Sequence, residues 1–336
     1  MKLRGALQQP AVAWAAFACG LPVLVACSGT LDAGSDRPRE RLPVGPENPV
    51  ILCNDGPSDN WHGEYAMLLA HAGAPALAGI VVSTGGMWFD LDENFNGWQE
   101  LVTLARESGL ASVPDPIRSP SAPLERPADG NVDSTAANDS EGARFIVRKS
   151  SELSRPDRPV VVATGGRLTD VADAYLIDPT VTDRVIVVAS LGTGFSEGEQ
   201  VARMGIPNGE MDPWANAIVV QRFRYVQVSA YYDQLADVPA ERIAELPDNP
   251  LGVWMGEKQA DIFATPLASD QVSVIALGVP RFTLGVTHVS LSGWENDEPT
   301  LAPDRNGTVW LVTASDGAAA TARLWELLLD PATFGR

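Results

Sequence analysis

Residues 49–60 read Pro49-Val50-Ile51-Leu52-Cys53-Asn54-Asp55-Gly56-Pro57-Ser58-Asp59-Asn60. A short apolar run opens this stretch, and a tight Gly-Pro turn crowded with oxygen-bearing side chains closes it. An apolar run of that length, bounded by turn residues, predicts a strand buried on both faces. Gly63 to His71 then has helical apolar spacing, and Ala76 to Ser83 is a second continuous, β-rich run. The alternation recurs along the chain. Helices are predicted over Trp98–Glu107, Glu141–Leu153 (with Asp139 or Ser140 as N-cap), Leu168–Tyr175, Pro213–Arg222, Gln271–Leu277 and Ala318–Leu329. Strands are predicted over Pro159–Ala163, Arg184–Ala189, Tyr225–Ser229, Arg281–Val289 and Thr308–Thr313. Helices alternating with continuously apolar strands predict an α/β fold, a mostly parallel Rossmann-like sheet flanked by helices.

Ligands of such sheets bind beyond the carboxyl ends of the strands. The turn after the first strand is therefore the candidate site, and its crowded oxygens suit a hard cation such as calcium. Long connections at Thr84–Asn96, Ala111–Asn138 and Leu191–Glu210 exceed the usual loop length and are expected to build the site around it. Carboxylates bonded to backbone N–H groups in a purely structural turn are the competing expectation for the same residues.

Four segments, in order, resemble the nucleoside hydrolase family. Cys53 to Asn60 is similar to its Asp-x-Asp-Pro-Gly-x-Asp-Asp loop, and Gly165-Gly166-Arg167-Leu168-Thr169-Asp170-Val171-Ala172 to its Gly-Pro-Leu-Thr-Asn-x-Ala segment. Ile206 to Pro213 resembles Glu-Phe-Asn-x-x-x-Asp-Pro, and Ser269-Asp270 falls where the family has His-Asp. The resemblance implies a nucleoside-hydrolase-type fold and calcium-dependent hydrolysis of an N-ribosyl bond in a nucleoside or related glycoside. It implies that Asp55 is both calcium ligand and general base, with Asn60, the Thr169 carbonyl and Asp270 completing the calcium shell. Asp59 and Asn208 would hold ribose hydroxyls.

Several positions depart from the family pattern. Cys53 stands for the first aspartate, Asn60 for an anionic ligand, Gly86 for an Asn, Ile206 for a Glu and Ser269 for a His. His62, beside the turn, is a candidate to assist the departing base, and Glu210 to stand in for the missing Glu. Trp61 and Trp88 are candidates to stack on base or sugar, though Trp is equally common in cores. Tyr231 and Tyr232 are open between pocket and core, and His71 is expected in the core. These departures define the rival expectation: a surface lipoprotein that binds a sugar or nucleoside without cleaving it.

Two other patterns imitate known sites. Gly194-Phe195-Ser196-Glu197-Gly198 fits an esterase elbow, with Ser196, Asp270 and His288 in α/β-hydrolase order, but three residues separate it from the preceding strand. Asp129, Asn131 and Asp133 imitate the start of a calcium-binding EF-hand loop, yet Ser134 replaces its Gly and Ser140 its Glu.

At the N-terminus, Lys2 and Arg4 precede a charge-free apolar run from Ala11 to Ala26. That is the layout of an export signal, too short for a comfortable membrane span. Leu24-Val25-Ala26-Cys27-Ser28 resembles a bacterial lipobox, which implies lipidation of Cys27; Ser28 resembles an outer-membrane sorting signal. The expected organisation is a signal peptide over 1–26, a flexible Gly-, Pro- and charge-rich tether over 27–48, and one domain over 49–336. Losing residues 1–26 removes two cations and no acid, moving the net charge from −19 to −21. Such a charge argues against nucleic-acid partners and anionic membrane surfaces, so the membrane is expected to be met only through the lipid. Of three cysteines, only Cys27 and Cys53 would remain, so no structural disulfide is expected. The oligomeric state stays open, a homo-oligomer included.

Overall fold

Val50 to Asn54 forms a strand whose side chains are all buried, as a continuous apolar run between two packed layers requires. The computed structural model describes residues 42–56, 62–73, 76–84, 90–190, 195–197, 200–202, 207–228, 240–262, 282–295 and 298–329, within one compact unit spanning Glu40–Arg336. The strands are β1 (Val50–Asn54), β2 (Leu77–Val82), β3 (Pro116–Arg118), β4 (Val160–Gly165), β5 (Val185–Ser190), β6 (Phe195–Glu197), β7 (Gln200–Ala202), β8 (Arg224–Val228), β9 (Thr283–Glu295), β10 (Glu298–Pro303) and β11 (Val309–Ser315). The helices are α1 (His62–His71), α2 (Leu91–Glu107), α3 (Glu141–Leu153), α4 (Thr169–Ile177), α5 (Pro207–Glu210), α6 (Pro213–Arg222), α7 (Pro250–Ile262) and α8 (Gly317–Leu328).

Among the described residues the strands make one sheet, in the order β3-β2-β1-β4-β5-β8-β11-β9-β10-β6-β7. Its first seven strands run parallel, and β9 and β10 extend it antiparallel. The mostly parallel α/β architecture expected from the apolar runs is what the chain adopts. Alternate residues of β1 feed two cores. Val50 and Leu52 join Met67, Trp98, Leu101, Met255 and Leu324 on one face. Ile51 and Cys53 join Ile146, Val171, Ala172 and Ile218 on the other. A Cβ on Gly63 would lie 2.0 Å from the Trp98 ring, so only glycine lets α1 approach α2 so closely.

Several boundaries depart from the sequence expectation. The segment 42–48 is packed rather than part of a loose tether: Leu42 and Val44 are buried in the first core, and Asn48 Nδ2 donates to the Pro159 carbonyl at 2.8 Å. Two apolar side chains and the Asn48 hydrogen bond suffice to dock this seven-residue segment. Helix α2 begins seven residues earlier than expected because Asp90 and Glu93 form a reciprocal capping box at 2.8 and 3.3 Å. The loop predicted over Ala111–Asn138 contains β3, and the one over Leu191–Glu210 contains the β6–β7 hairpin and α5. His71, in the last turn of α1, is half-buried rather than in the core. The helix predicted over Gln271–Leu277 lies outside the described residues, as do Tyr231 and Tyr232.

Candidate functional site

The chain moves from β1 outward to β2 and β3, then returns to place β4 on the other side of β1 and continues to β5 and β8. The β1/β4 pair is therefore the point where strand order reverses, and a crevice opens there beyond the carboxyl ends. Asn54 and Gly165, the last residues of these two strands, are register partners. The next residue on one side is Asp55, which is 7% exposed. On the other it is Gly166, where a Cβ would stand 3.2 Å from both the Asp55 Cβ and its backbone nitrogen. Glycine at 166 thus lets the Asp55 loop settle against the end of β4. Asn54 shapes the exit from β1: its Oδ1 accepts the Gly56 N–H at 2.9 Å, while its buried Nδ2 meets no acceptor among the described residues.

Thr169 opens α4 directly behind this pair. Its carbonyl takes one helical N–H from Asp173, leaving a second lone pair. Its hydroxyl donates to Asp212 Oδ2 at 2.7 Å. Asp212 is the N-cap of α6, accepting the Ala215 N–H on Oδ1 at 3.0 Å, and its Oδ2 also accepts the Leu124 N–H at 2.9 Å. Asn208, 6% exposed, sits on the short helix α5 four residues before Asp212. The chain thereby ties the segment carrying Asn208 to the one carrying Thr169.

A second buried carboxylate lies one residue on. Asp170 Oδ1 accepts the Ser119 hydroxyl at 2.7 Å and that of Ser140, the α3 N-cap, at 2.8 Å. Asp173 in turn accepts the backbone N–H groups of Asn138, Asp139 and Ser140 at 2.8 to 3.2 Å, a nest that holds Asp139 at φ 56. Arg167, only 5% exposed, donates from Nη2 to the Ser121 carbonyl, while its Nε has no hydrogen-bond partner among the described residues. Burial pulls the Arg167 pKa down against the charges of Asp170, Asp212 and Asp55. Burial likewise raises Asp170 and Asp212, opposed by the hydroxyl and N–H groups that bind them. The Cys53 thiol is pushed up by burial and then by Asp170, so it is protonated and supplies no thiolate.

The structure places Asp55 and Thr169 beyond the carboxyl ends of the neighbouring strands β1 and β4, and Asn208 on α5, four residues before Asp212. Asp59, Asn60, Trp61, Gly86, Trp88, Ile206, Ser269, Asp270 and Cys27 lie outside the described residues. His62 and Glu210 fall in α1 and α5, with their side chains outside the described set. Arg167, Asp170 and Asp212 lie inside the quoted motifs yet carried no assigned role. The available signal was positional: Asp212-Pro213 is an N-cap followed by a first-turn proline, and Arg167 puts a cation where the motif has proline.

For a calcium ion, the described donors fit in kind: the Asp55 carboxylate and the spare lone pair of the Thr169 carbonyl are hard oxygens. Among the described residues no three His, Cys, Asp or Glu side chains converge to hold a metal by themselves. The esterase pattern does not form an elbow, because Ser196 is a mid-strand residue of β6 paired with Val201. His288 lies in β9 with Nδ1 on the Gly307 carbonyl at 3.0 Å and its ring against Trp310. Nor do the Asp129 to Asp133 oxygens form a loop site. Asp129 binds Asn131 N–H and the Ser134 hydroxyl, and Asp133 binds Tyr175 and Arg222.

No protein-family profile matches the chain, and no curated protein matches it in sequence. Among solved structures it is similar to an inosine-guanosine nucleoside hydrolase, at 17% identity over 84% of this chain and 99% of that one, with a TM-score of 0.63. An inosine-uridine preferring nucleoside hydrolase from Bacillus anthracis covers 84% of this chain and 99% of its own at 12% identity and a TM-score of 0.61. A purine-preferring ribonucleoside hydrolase from Gardnerella vaginalis covers 85% and 98% at 15% identity and 0.60. At these identities the likeness establishes the fold, which is the nucleoside hydrolase fold.

Proposed function

We propose that this protein hydrolyses the N-glycosidic bond of a nucleoside or a related N-riboside, with calcium bound at the β1/β4 crevice. The observation that supports this best is the burial of Asp55 at the strand-order reversal, directly against Gly166. The neighbouring structures named for nucleoside hydrolysis share that fold, and the four motif segments follow in the same order.

Asp55, the Thr169 carbonyl, Asn60 and Asp270 would hold the ion. When bound, calcium would make a coordinated water more acidic. Asp55 accepts the proton of the attacking water, whose oxygen bonds to the anomeric carbon. The C–N bond breaks, its electron pair passes to the base nitrogen, and that nitrogen takes up a proton. Asp59 and Asn208 hold the ribose hydroxyls and so orient the anomeric carbon towards the water. His62 is the proposed proton donor to the leaving base; Glu210 and Trp88 complete the substrate pocket.

One observation favours the non-catalytic binder instead. Arg167 presents a buried cation to the charge of Asp55, which weakens the field available to a calcium ion. Sugar release from a panel of nucleosides, with calcium and with chelator, decides between the two readings. Calcium-dependent release lost in Asp55→Asn supports the hydrolase. A nucleoside that binds but is never cleaved supports the binder.

The chain is further proposed to be exported and lipid-anchored to the bacterial envelope through Cys27 after removal of residues 1–26, with an outer-membrane destination from Ser28. Cys27→Ser is then expected to move the protein from the membrane fraction to the soluble one. Retention in the membrane fraction would refute that anchor.

A further inference from the structure

Two positions near Asp55 differ from the family motifs in opposite senses. Cys53 is neutral where the first motif has aspartate, and Asp170 is charged where the second has asparagine. The fold brings these positions together. Cys53 faces the core that contains Leu168 and Val171 of the α4 region, and its register partner on β2 is Val81. A Cβ added to Gly142 would lie 2.7 Å from Val81 Cγ1 and 2.9 Å from Asp170 Cγ. Val81 and Gly142 thus link the two positions, and the charge of Asp170 acts on the Cys53 thiol.

We propose that the buried carboxylate has changed its point of attachment: Asp170 on α4 supplies, beside the Asp55 loop, the negative charge that the motif carries on β1 at the place of Cys53. Asp170 is then a positioning residue. Its charge is the foremost one acting on the buried Arg167, which also feels Asp55 and Asp212. Through Ser119 and Ser140 it anchors the end of β3 and the N-terminus of α3 to the same spot. An interchange keeps the number of buried anions facing Arg167 unchanged. A further carboxylate in that space would repel those already there, and the loss of one would weaken the set that faces Arg167.

The consequence for turnover rests on the hydrolase reading, but the interchange itself is testable without it. The melting temperatures of four purified full-length proteins decide it: wild type, Cys53→Asp, Asp170→Asn and the double variant. Asp170→Asn alone is expected to lower melting by roughly 5–10 °C, and Cys53→Asp alone to lower it as well. In the Cys53→Asp background, Asp170→Asn is expected to raise melting instead of lowering it. Equal lowering in both backgrounds would overturn the interchange and leave Asp170 as a local pin between α3 and α4. If Cys53→Asp alone fails to fold, a folded double variant supports the interchange and an unfolded one overturns it. In the nucleoside assay, Asp170→Asn is expected to lose about tenfold or more in kcat, with recovery to within about threefold of wild type in the double variant. A lack of turnover in wild type would count against the hydrolase reading alone, because the melting cycle stands apart from it.

Discussion

The parallel and antiparallel parts of the sheet are built from different kinds of strand. In the parallel part, β1 and β4 are buried along their whole length and β8 nearly so. In the antiparallel part, the described positions of β9 are mostly half-buried, with Val289 alone among them fully buried and Leu284 49% exposed. Strands covered on both faces hold their carboxyl ends rigidly, and the residues that follow them can be placed for chemistry. A strand open on one side lengthens the sheet without fixing a crevice. The proposed site accordingly lies at the β1/β4 reversal, while the serine-centred elbow pattern falls in the extension and comes to nothing.

Truncation should expose this contrast most strongly. Leu52→Ala, fully buried on β1, is expected to cost about 2–5 kcal/mol in denaturant unfolding. Leu291→Ala, partly buried on β9, should cost about 1 kcal/mol or less. Comparable losses would abolish the distinction. Next in size is Asp212→Asn, which turns an amide toward the Leu124 N–H and the Thr169 hydroxyl; about 1–3 kcal/mol should be lost by the same measurement.

Glycine substitutions sharpen the comparison at the level of activity. Gly166→Ala pushes on Asp55 and is expected to lower kcat about tenfold with little change in melting temperature. Gly293→Ala on β9 meets only the Thr300 hydroxyl at 3.4 Å and should leave turnover and melting unchanged. The smallest effect concerns acid. Hydrogen bonds from the Ser290 hydroxyl and then the Asn306 N–H hold Asp304 below its ordinary value of 3.8. A depressed carboxyl contributes stability that is complete above the unfolded value and is lost as pH falls through the lower folded one. Protection against hydrogen exchange in 298–309, taken relative to the intrinsic rate at each pH, should therefore fall below about pH 4 in wild type. Asp304→Asn should show lower protection that no longer changes over that range.

How far the sequence could be read follows the same division. Continuous apolar runs predicted β1, β2, β4, β5 and β8 to within a residue or two, because burial on both faces leaves no polar position to blur them. The N-cap of α3 was expected at Asp139 or Ser140 and falls on Ser140, and α6 begins at Pro213 as expected, since signals at helix starts act locally. Strand β3 is three residues long and begins with proline, so no period could reveal it. Helix α7 carries Gly252 and Gly256, and β10 contains Pro299 and Pro303; α7 owes its form to packing against α2, and β10 to pairing with the adjoining β9 and with β6. Asp55, Thr169 and Asn208 stood out as motif positions, and the first two lie just beyond the ends of β1 and β4. Asp170 and Arg167 did not, because what buries them comes from Ser119, Ser121 and Ser140, some 30 to 50 residues away.

Reducing-sugar release from a nucleoside panel, by wild type and Asp55→Asn with calcium and with chelator, tests the central claim most directly. Wild type should release sugar only with calcium, and Asp55→Asn should be slower by roughly 10²–10⁴-fold at an unchanged melting temperature. Equal release by the two proteins would contradict the assignment of Asp55 as base. Binding without release across the panel would make this crevice a receptor rather than a catalyst.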